Sequence, residues 1–201
     1  MKQNDRMVKI ISDVYAEVKN RCLLPSNTYG IGAWDHHIKS VYEIAISICD
    51  EYGADYNIVA LAALLHDVAS VTNKDFTENH HIIGAQIAED ILKKYELPLE
   101  LIDKVKKCII NHRGSVLMPK TSPEEICISD ADAMAHFYNI PSLFSMVYVE
   151  KGMSIDEGTE YVLGKLTRSY KKLSEKGKKI ILPHYESAKT LLKIQHNKEE
   201  K

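Results

Sequence analysis

Residues 57–68 read NIVALAALLHDV. From Ile58 to Leu65 every position is apolar, so no polar face is left for solvent. A helix that is apolar all round must be buried on every side. The run is too short to cross a membrane, so it is read as the central helix of a soluble helical core. It closes on two polar residues, His66 and Asp67. A carboxylate at the end of a buried helix is costly unless it is paired or bound to a metal. At a helix C-terminus the macrodipole adds a term of about 0.3–1 kcal/mol that favours a cation. The alternative is a His–Asp hydrogen bond that merely closes the helix.

Outward from this segment the apolar spacing stays helical. Residues 5–22 place Met7, Val8, Ile11, Val14, Tyr15 and Val18 on one face. Pro25, Asn27, Gly30 and Gly32 break the chain. Asp35 is then the expected N-cap of a helix running to about Tyr52. After 57–68, residues 70–79 read as a polar loop. A helix is expected from His80 to about Tyr95, and another from Pro98 in its first turn to His112. Ser122 with Glu125, and Ser154 with Glu157, are capping-box signals. They open helices to about Tyr138 and Lys176 respectively, and Pro183 starts or kinks a last helix ending near His196. The terminal NKEEK is expected to fray. No segment alternates like a strand, so the fold class is all-α, one domain over residues 1–201 with seven to nine helices.

Bulk properties narrow the functional classes. The chain has 201 residues, 45% of them hydrophobic, and a formal net charge of −2. That balance gives no polyanion-binding surface, so nucleic acid is not expected as a partner. The opening residues, MKQNDRMVKI, contain no apolar run of a secretory leader, and no stretch reaches the roughly 18 apolar residues of a membrane span. Cys22, Cys49, Cys108 and Cys127 are scattered without a C-x-x-C pair and read as reduced core thiols. The expected compartment is the cytoplasm, without membrane association.

Nine histidines are present, most of them well inside the chain. His37 lies four residues before Val41, on the apolar stripe of its helix; His80 precedes Ile83 and Ile87; His112 continues the series Leu101, Ile102, Val105, Cys108, Ile109. One such histidine is ordinarily a satisfied core residue. Three on core-facing stripes beside a buried His-Asp favour metal ligation. Their neighbours His36 and His81 read as exposed or outer groups. The segment 129–137, SDADAMAHF, supplies two further carboxylates among small and apolar residues. Periodicity turns Asp130 inward, in line with Ile126, Cys127, Ala133, Met134 and Phe137.

The ordered set His37 in HHIKSV, His66-Asp67 in ALLHDVA and an aspartate in DADAM resembles the HD superfamily of metal-dependent phosphohydrolases. The resemblance covers about residues 34–140, and the stretch from about Lys165 to Leu192 is similar to the helical tail of small bacterial HD hydrolases. It implies an HD core followed by a helical tail over about 141–196. Val41 selects His37 over His36, and Met134 selects Asp132, against the periodicity that favours Asp130 as an alternative ligand. The implied ligands are His37, His66, Asp67 and Asp132. His80 and His112 match the positions that hold a second metal in some members, although the family's His-His pair is here Asn111-His112.

Imidazole and carboxylate ligands suit Mn, Fe, Co, Ni, Zn or Mg, one or two ions per chain. The implied function is hydrolysis of a small phosphoester, a nucleotide in the first instance, by metal-activated water, with Asp67 and Asp132 as the catalytic carboxylates. Lys39, Arg113 and Arg168 are candidate substrate cations, the last within a helical series that includes Lys165, Lys171 and Lys172. Competing readings are a sensor that binds nucleotide or metal without turnover, and an HD-type di-iron oxygenase. Oligomeric state is not legible.

Overall fold

A computed structural model describes residues 2–27, 29–112 and 119–193. The described residues form helices and no strand, so the protein is all-α. In chain order the helices are α1 (Lys2–Cys22), α2 (Lys39–Tyr52), α3 (Tyr56–Leu65), α4 (Val68–Thr72), α5 (His80–Lys93), α6 (Leu99–Asn111), α7 (Pro123–Tyr138), α8 (Ile140–Ser145), α9 (Ile155–Lys172) and α10 (Glu175–Leu191). The expected count is exceeded because α4 and α8, five and six residues long, are too short to show a periodic stripe.

Two helices are buried nearly throughout, and they carry the polar residues that matter. In α3 every residue from Ile58 to Leu65 is buried. Asp55 caps its start by accepting from the amides of Asn57 and Ile58. In α7, Glu125 and all of Cys127–Ala135 are buried, with Phe137. Around this pair, α2 packs on α7 and α3, α1 on α3 and α4, and α6 on α5, α3 and α7. The tail closes the bundle, α9 lying on α7 and α10 on both α9 and α7. Buried side chains from α1 through α10 join in one apolar cluster.

Several local expectations are corrected. Asp35 is not an N-cap: a π-helical turn, Trp34–Ile38, starts one residue earlier with Ala33 at its N-cap and runs straight into α2. Trp34 is buried edge-on against Tyr15, ring centroids 4.5 Å apart, which draws helical backbone upstream of Asp35. The central helix stops at Leu65, and the expected loop 70–79 begins as α4, its apolar residues packed on α1 and α5. Pro98 is the N-cap of α6 and not its first residue.

At α7 only half of the capping box forms. Ser122 accepts from the Glu125 amide, but the Glu125 carboxylate turns to Asn111 and Thr121. At α9 both halves are present. The expected helix through Lys176 is broken at Leu173 and Ser174, and Ser174 caps a separate α10 that carries Pro183 in its interior. The expected end near His196 and the fraying terminus lie outside the described residues.

Candidate metal centre

The central helix breaks where its apolar run ends. Asp67 sits at φ −111, ψ 17, between α3 and α4, and at the head of α4 its side chain caps no backbone amide. Aspartate in that position ordinarily caps the helix it precedes. Here the carboxylate is turned toward histidines. Oδ2 lies 3.3 Å from His37 Nε2 and 3.5 Å from His66 Nε2, while Oδ1 lies 3.6 Å from His80 Nε2 and 3.9 Å from His112 Nε2.

Each histidine is delivered by a helix end or irregularity. His37 belongs to the π-helical turn before α2. His66 follows α3, His80 opens α5, and His112 follows α6. Three of the rings share one orientation device. The Nδ1 atoms of His66, His80 and His112 meet the carbonyls of Ala63, Thr77 and Ile109, three residues back, at 2.8, 2.7 and 2.5 Å. A carbonyl only accepts, so each Nδ1 carries a proton, and in the neutral ring it is Nε2 that presents the lone pair. Those Nε2 atoms converge: His66 is 3.2 Å from His37, and His80 is 3.3 Å from His112.

Asp132 completes the arrangement from α7, its Oδ1 3.5 Å from His37 Nε2. Its other oxygen, Oδ2, accepts from Lys172 Nζ of α9 at 2.6 Å. Two groups therefore bring ligand atoms within 4.8 Å of one another: His37, His66 and Asp132, and Asp67, His80 and His112. Asp67 faces both through its two oxygens.

The donor set fits a divalent cation. Ligands about 2.0–2.2 Å from one ion stand roughly 3.0–3.5 Å from each other; the contacts around His37 and His66 run from 3.2 to 3.5 Å, and those of Asp67 with His80 and His112 are slightly longer, 3.6 and 3.9 Å. Lone pairs packed this closely repel unless a positive charge lies among them. Imidazole with carboxylate suits a first-row transition ion, and in His66, His80 and His112 the second ring nitrogen is already bonded to a backbone carbonyl, the usual arrangement of ligating histidines.

Charge in the cluster is strongly biased. Burial opposes ionisation of Asp67, but His66 and then His37 outweigh it and hold the carboxyl well below its usual range. Asp132 is held down likewise, by Lys172 ahead of His136 and His37. Burial also works against the His66 imidazolium, yet the Asp67 carboxylate raises its pKa on balance. His112 is pushed down to about 3, by burial first and then by His66.

The remaining expected residues divide. Asp130 does not reach the cluster. It is buried on the opposite side of α7, accepting from Tyr52 Oη at 2.6 Å, from the Ser174 amide at 2.9 Å and from Ser174 Oγ. Periodicity was right that it faces inward, but inward there is the seat of the α9–α10 joint. Lys39 pairs with Glu43 along α2 and does not line the cavity over the cluster. Arg168 lines that cavity, and Arg113 lies outside the described residues. Asn111, at the departure from a His-His pair, donates to Glu125 at 2.6 Å and is tied into the α6–α7 packing. His36 is exposed at the cavity, whereas His81 is buried.

Two residues carried no earlier role. His136, one turn after Asp132, stacks on His37 with centroids 5.7 Å apart and meets Ser169 Oγ at 3.0 Å. Its pKa is pushed down to about 3 by burial and then by Lys165. The i, i+4 spacing from Asp132 was the available signal. Lys172, one member of the α9 charge series, is the direct partner of Asp132. A cavity of about 1030 Å³ opens over the cluster, and its wall includes Lys165, Arg168 and Lys172 of α9.

Part of the chain is similar to known proteins. A tRNA (cytidine(56)-2'-O)-methyltransferase of Thermoplasma volcanium is 34% identical over 110 residues, 53% of this chain and 29% of that protein. Ribonuclease Y of Acetivibrio thermocellus is 31% identical over 108 residues, 54% of this chain and 18% of that one. Ribonuclease Y of Petrotoga mobilis is 28% identical over 108 residues, 54% and 19% respectively. The chain thus spans less than a third of the length of these curated relatives. No solved structure matches it significantly. The HD domain profile matches residues 34–136, more than half of the chain and the stretch that contains every histidine and aspartate of the cluster, and the protein belongs to the HD domain family.

Proposed function

We propose that this protein is a metal-dependent phosphohydrolase that acts on a small phosphoester, a nucleotide in the first instance. The single observation that carries the reading is the convergence of four histidine Nε2 atoms and two aspartates at the foot of a cavity whose wall is cationic. His37, His66, Asp67 and Asp132 are assigned as ligands of one divalent ion, and His80 and His112, sharing Asp67, as ligands of a second. Such an ion, when bound, supplies an acidified water and polarises the phosphoryl oxygens.

The chain's own residues do the rest. The backbone bonds from Nδ1 lock three of the rings. Lys172 keeps Asp132 ionised, and the histidines do the same for Asp67, so either carboxylate is available to orient a water or take its proton. The names of the relatives indicate different activities, so only the shared HD segment bears on this one. A cytoplasmic setting belongs to the same reading. It is supported by four free buried cysteines and by the absence, among the described residues, of a helix long and apolar enough to cross a membrane.

The test is elemental analysis of tag-free protein purified without chelator, beside a phosphoester panel. One or two ions per chain and phosphate release are expected, both lost in Asp67→Ala. Turnover that survives in that variant overturns the reading. The paired His/Asp groups are also a donor set for two irons. An iron chromophore with oxygen consumption in place of phosphate release would establish that chemistry instead.

A further inference from the structure

Helix α9 shows two different faces. Val162, Leu166 and Ser169 are buried in the bundle, while Lys165, Arg168 and Lys172 line the cavity. Lys171, round the helix, is exposed and absent from the cavity wall, as a solvated lysine should be. The three cavity cations are not equivalent. Lys172 is already committed to Asp132. Among the described residues, neither the Lys165 ammonium nor the Arg168 guanidinium has a hydrogen-bond or ion-pair partner. Arg168 is exposed and Lys165 half-buried, so both are open to a ligand that enters the cavity.

Lys165 is the more telling of the two. It is half-buried, and burial lowers its pKa, the signature of a cation held where water compensates it poorly. Arg168 reaches back over Gly164, where a Cβ would stand 3.3 Å from its Nη1, so the guanidinium lies toward the turn that carries Lys165. Lys165 and Lys172, the ends of this stripe, are seven residue steps apart, about 10 Å of helix axis. A lone phosphoryl group at the His/Asp cluster would meet Lys172 and leave the far end of this stripe idle. Among the described residues, Glu150 is the one further carboxylate on the cavity wall, and it is exposed.

We propose that Lys165 and Arg168 form an anion subsite for the phosphate chain of a nucleoside di- or triphosphate whose terminal phosphoryl group sits at the His/Asp cluster. The proposal rests on the phosphohydrolase reading for the cluster, but the subsite itself lies on α9, outside the stretch that the HD profile matches. It makes the helical tail the part of the chain that selects substrates with several phosphates over monophosphates.

The experiment is calorimetric titration of inorganic tripolyphosphate and of orthophosphate into the protein, with Mn²⁺ at equal excess in cell and syringe. The wild type is compared with Lys165→Met/Arg168→Gln and with Lys165→Arg. Wild type should prefer tripolyphosphate, and the double variant should lose about tenfold or more of that affinity, the worth of charge-assisted hydrogen bonds, while binding orthophosphate as before. Lys165→Arg should retain the preference. Metal content of the double variant should match wild type, since neither residue belongs to the His/Asp groups. Equal tripolyphosphate binding by wild type and double variant, with Asp67-dependent hydrolysis intact, overturns the subsite and leaves the function standing. A preference that the double variant loses, in a protein that hydrolyses no phosphoester, supports the subsite and overturns the function. Loss of affinity for a single-stranded RNA oligonucleotide in place of tripolyphosphate would overturn the small-polyphosphate assignment.

Discussion

Lys172 Nζ donates to Asp132 Oδ2 at 2.6 Å, and the same carboxylate presents Oδ1 to His37 at 3.5 Å. Asp132 thus stands between a cation supplied by the helical tail and the His/Asp group proposed to hold a metal ion. Lys172→Met should lower the stability of metal-free protein by about 3 kcal/mol, because a buried carboxylate loses its partner. Adding Mn²⁺ should recover much of the loss, since the ion replaces the missing charge. Thermal melts with and without Mn²⁺ check this. An equal penalty in both would mean that Asp132 does not ligate the ion.

Asp130, two residues earlier, should behave differently. It joins α7 to α2 through Tyr52 and to the α9–α10 joint through Ser174. Burial, and then the bond to Asp130, raise the pKa of Tyr52, so the phenol keeps the proton it donates. Asp130→Ala strands these donors and should cost about 3 kcal/mol in chemical denaturation. Its metal content should match wild type; a loss of metal in otherwise folded protein would restore Asp130 as a ligand.

Gly177 lies against the same carboxylate. A Cβ there would stand 2.5 Å from Asp130 Oδ2 and 2.8 Å from its Cγ, too close without movement of α10. Gly177→Ala should destabilise by about 1–3 kcal/mol despite the helix propensity of alanine. In an Asp130→Ala background most of that penalty should vanish, a coupling that a double-mutant cycle measures directly.

Acid should weaken the metal-free fold before its carboxylates titrate. His136 is neutral in the folded state, with a pKa of about 3, against about 6.5 in an unfolded chain. Between those values the unfolded chain binds the extra proton, so stability is full above about 6.5 and falls as pH drops toward 3. His136→Gln should flatten the upper part of that slope. Denaturation midpoints at pH 7 and pH 5 in the presence of EDTA provide the measurement, and an unchanged difference between them would show that His136 is protonated without cost in the fold.

The sequence by itself determined the all-α class, because helical apolar periodicity is a local property repeated along most of the chain. It also exposed α3, since a run with no polar face can only be interior. The histidines of the cluster were legible for a related reason: a polar residue on an apolar stripe contradicts its surroundings. Asp130 and Asp132 could not be separated that way. Both lie on a helix buried on nearly all sides, where facing inward no longer distinguishes a metal site from a hydrogen-bonded joint. Only packing decided it, by setting Ser174 and Tyr52 against one carboxylate and Lys172 and His37 against the other. The short helices α4 and α8, the break at Ser174 and the pairing of His136 with His37 were settled at the same level. Each depends on contacts between segments far apart in the chain, which no local spacing encodes.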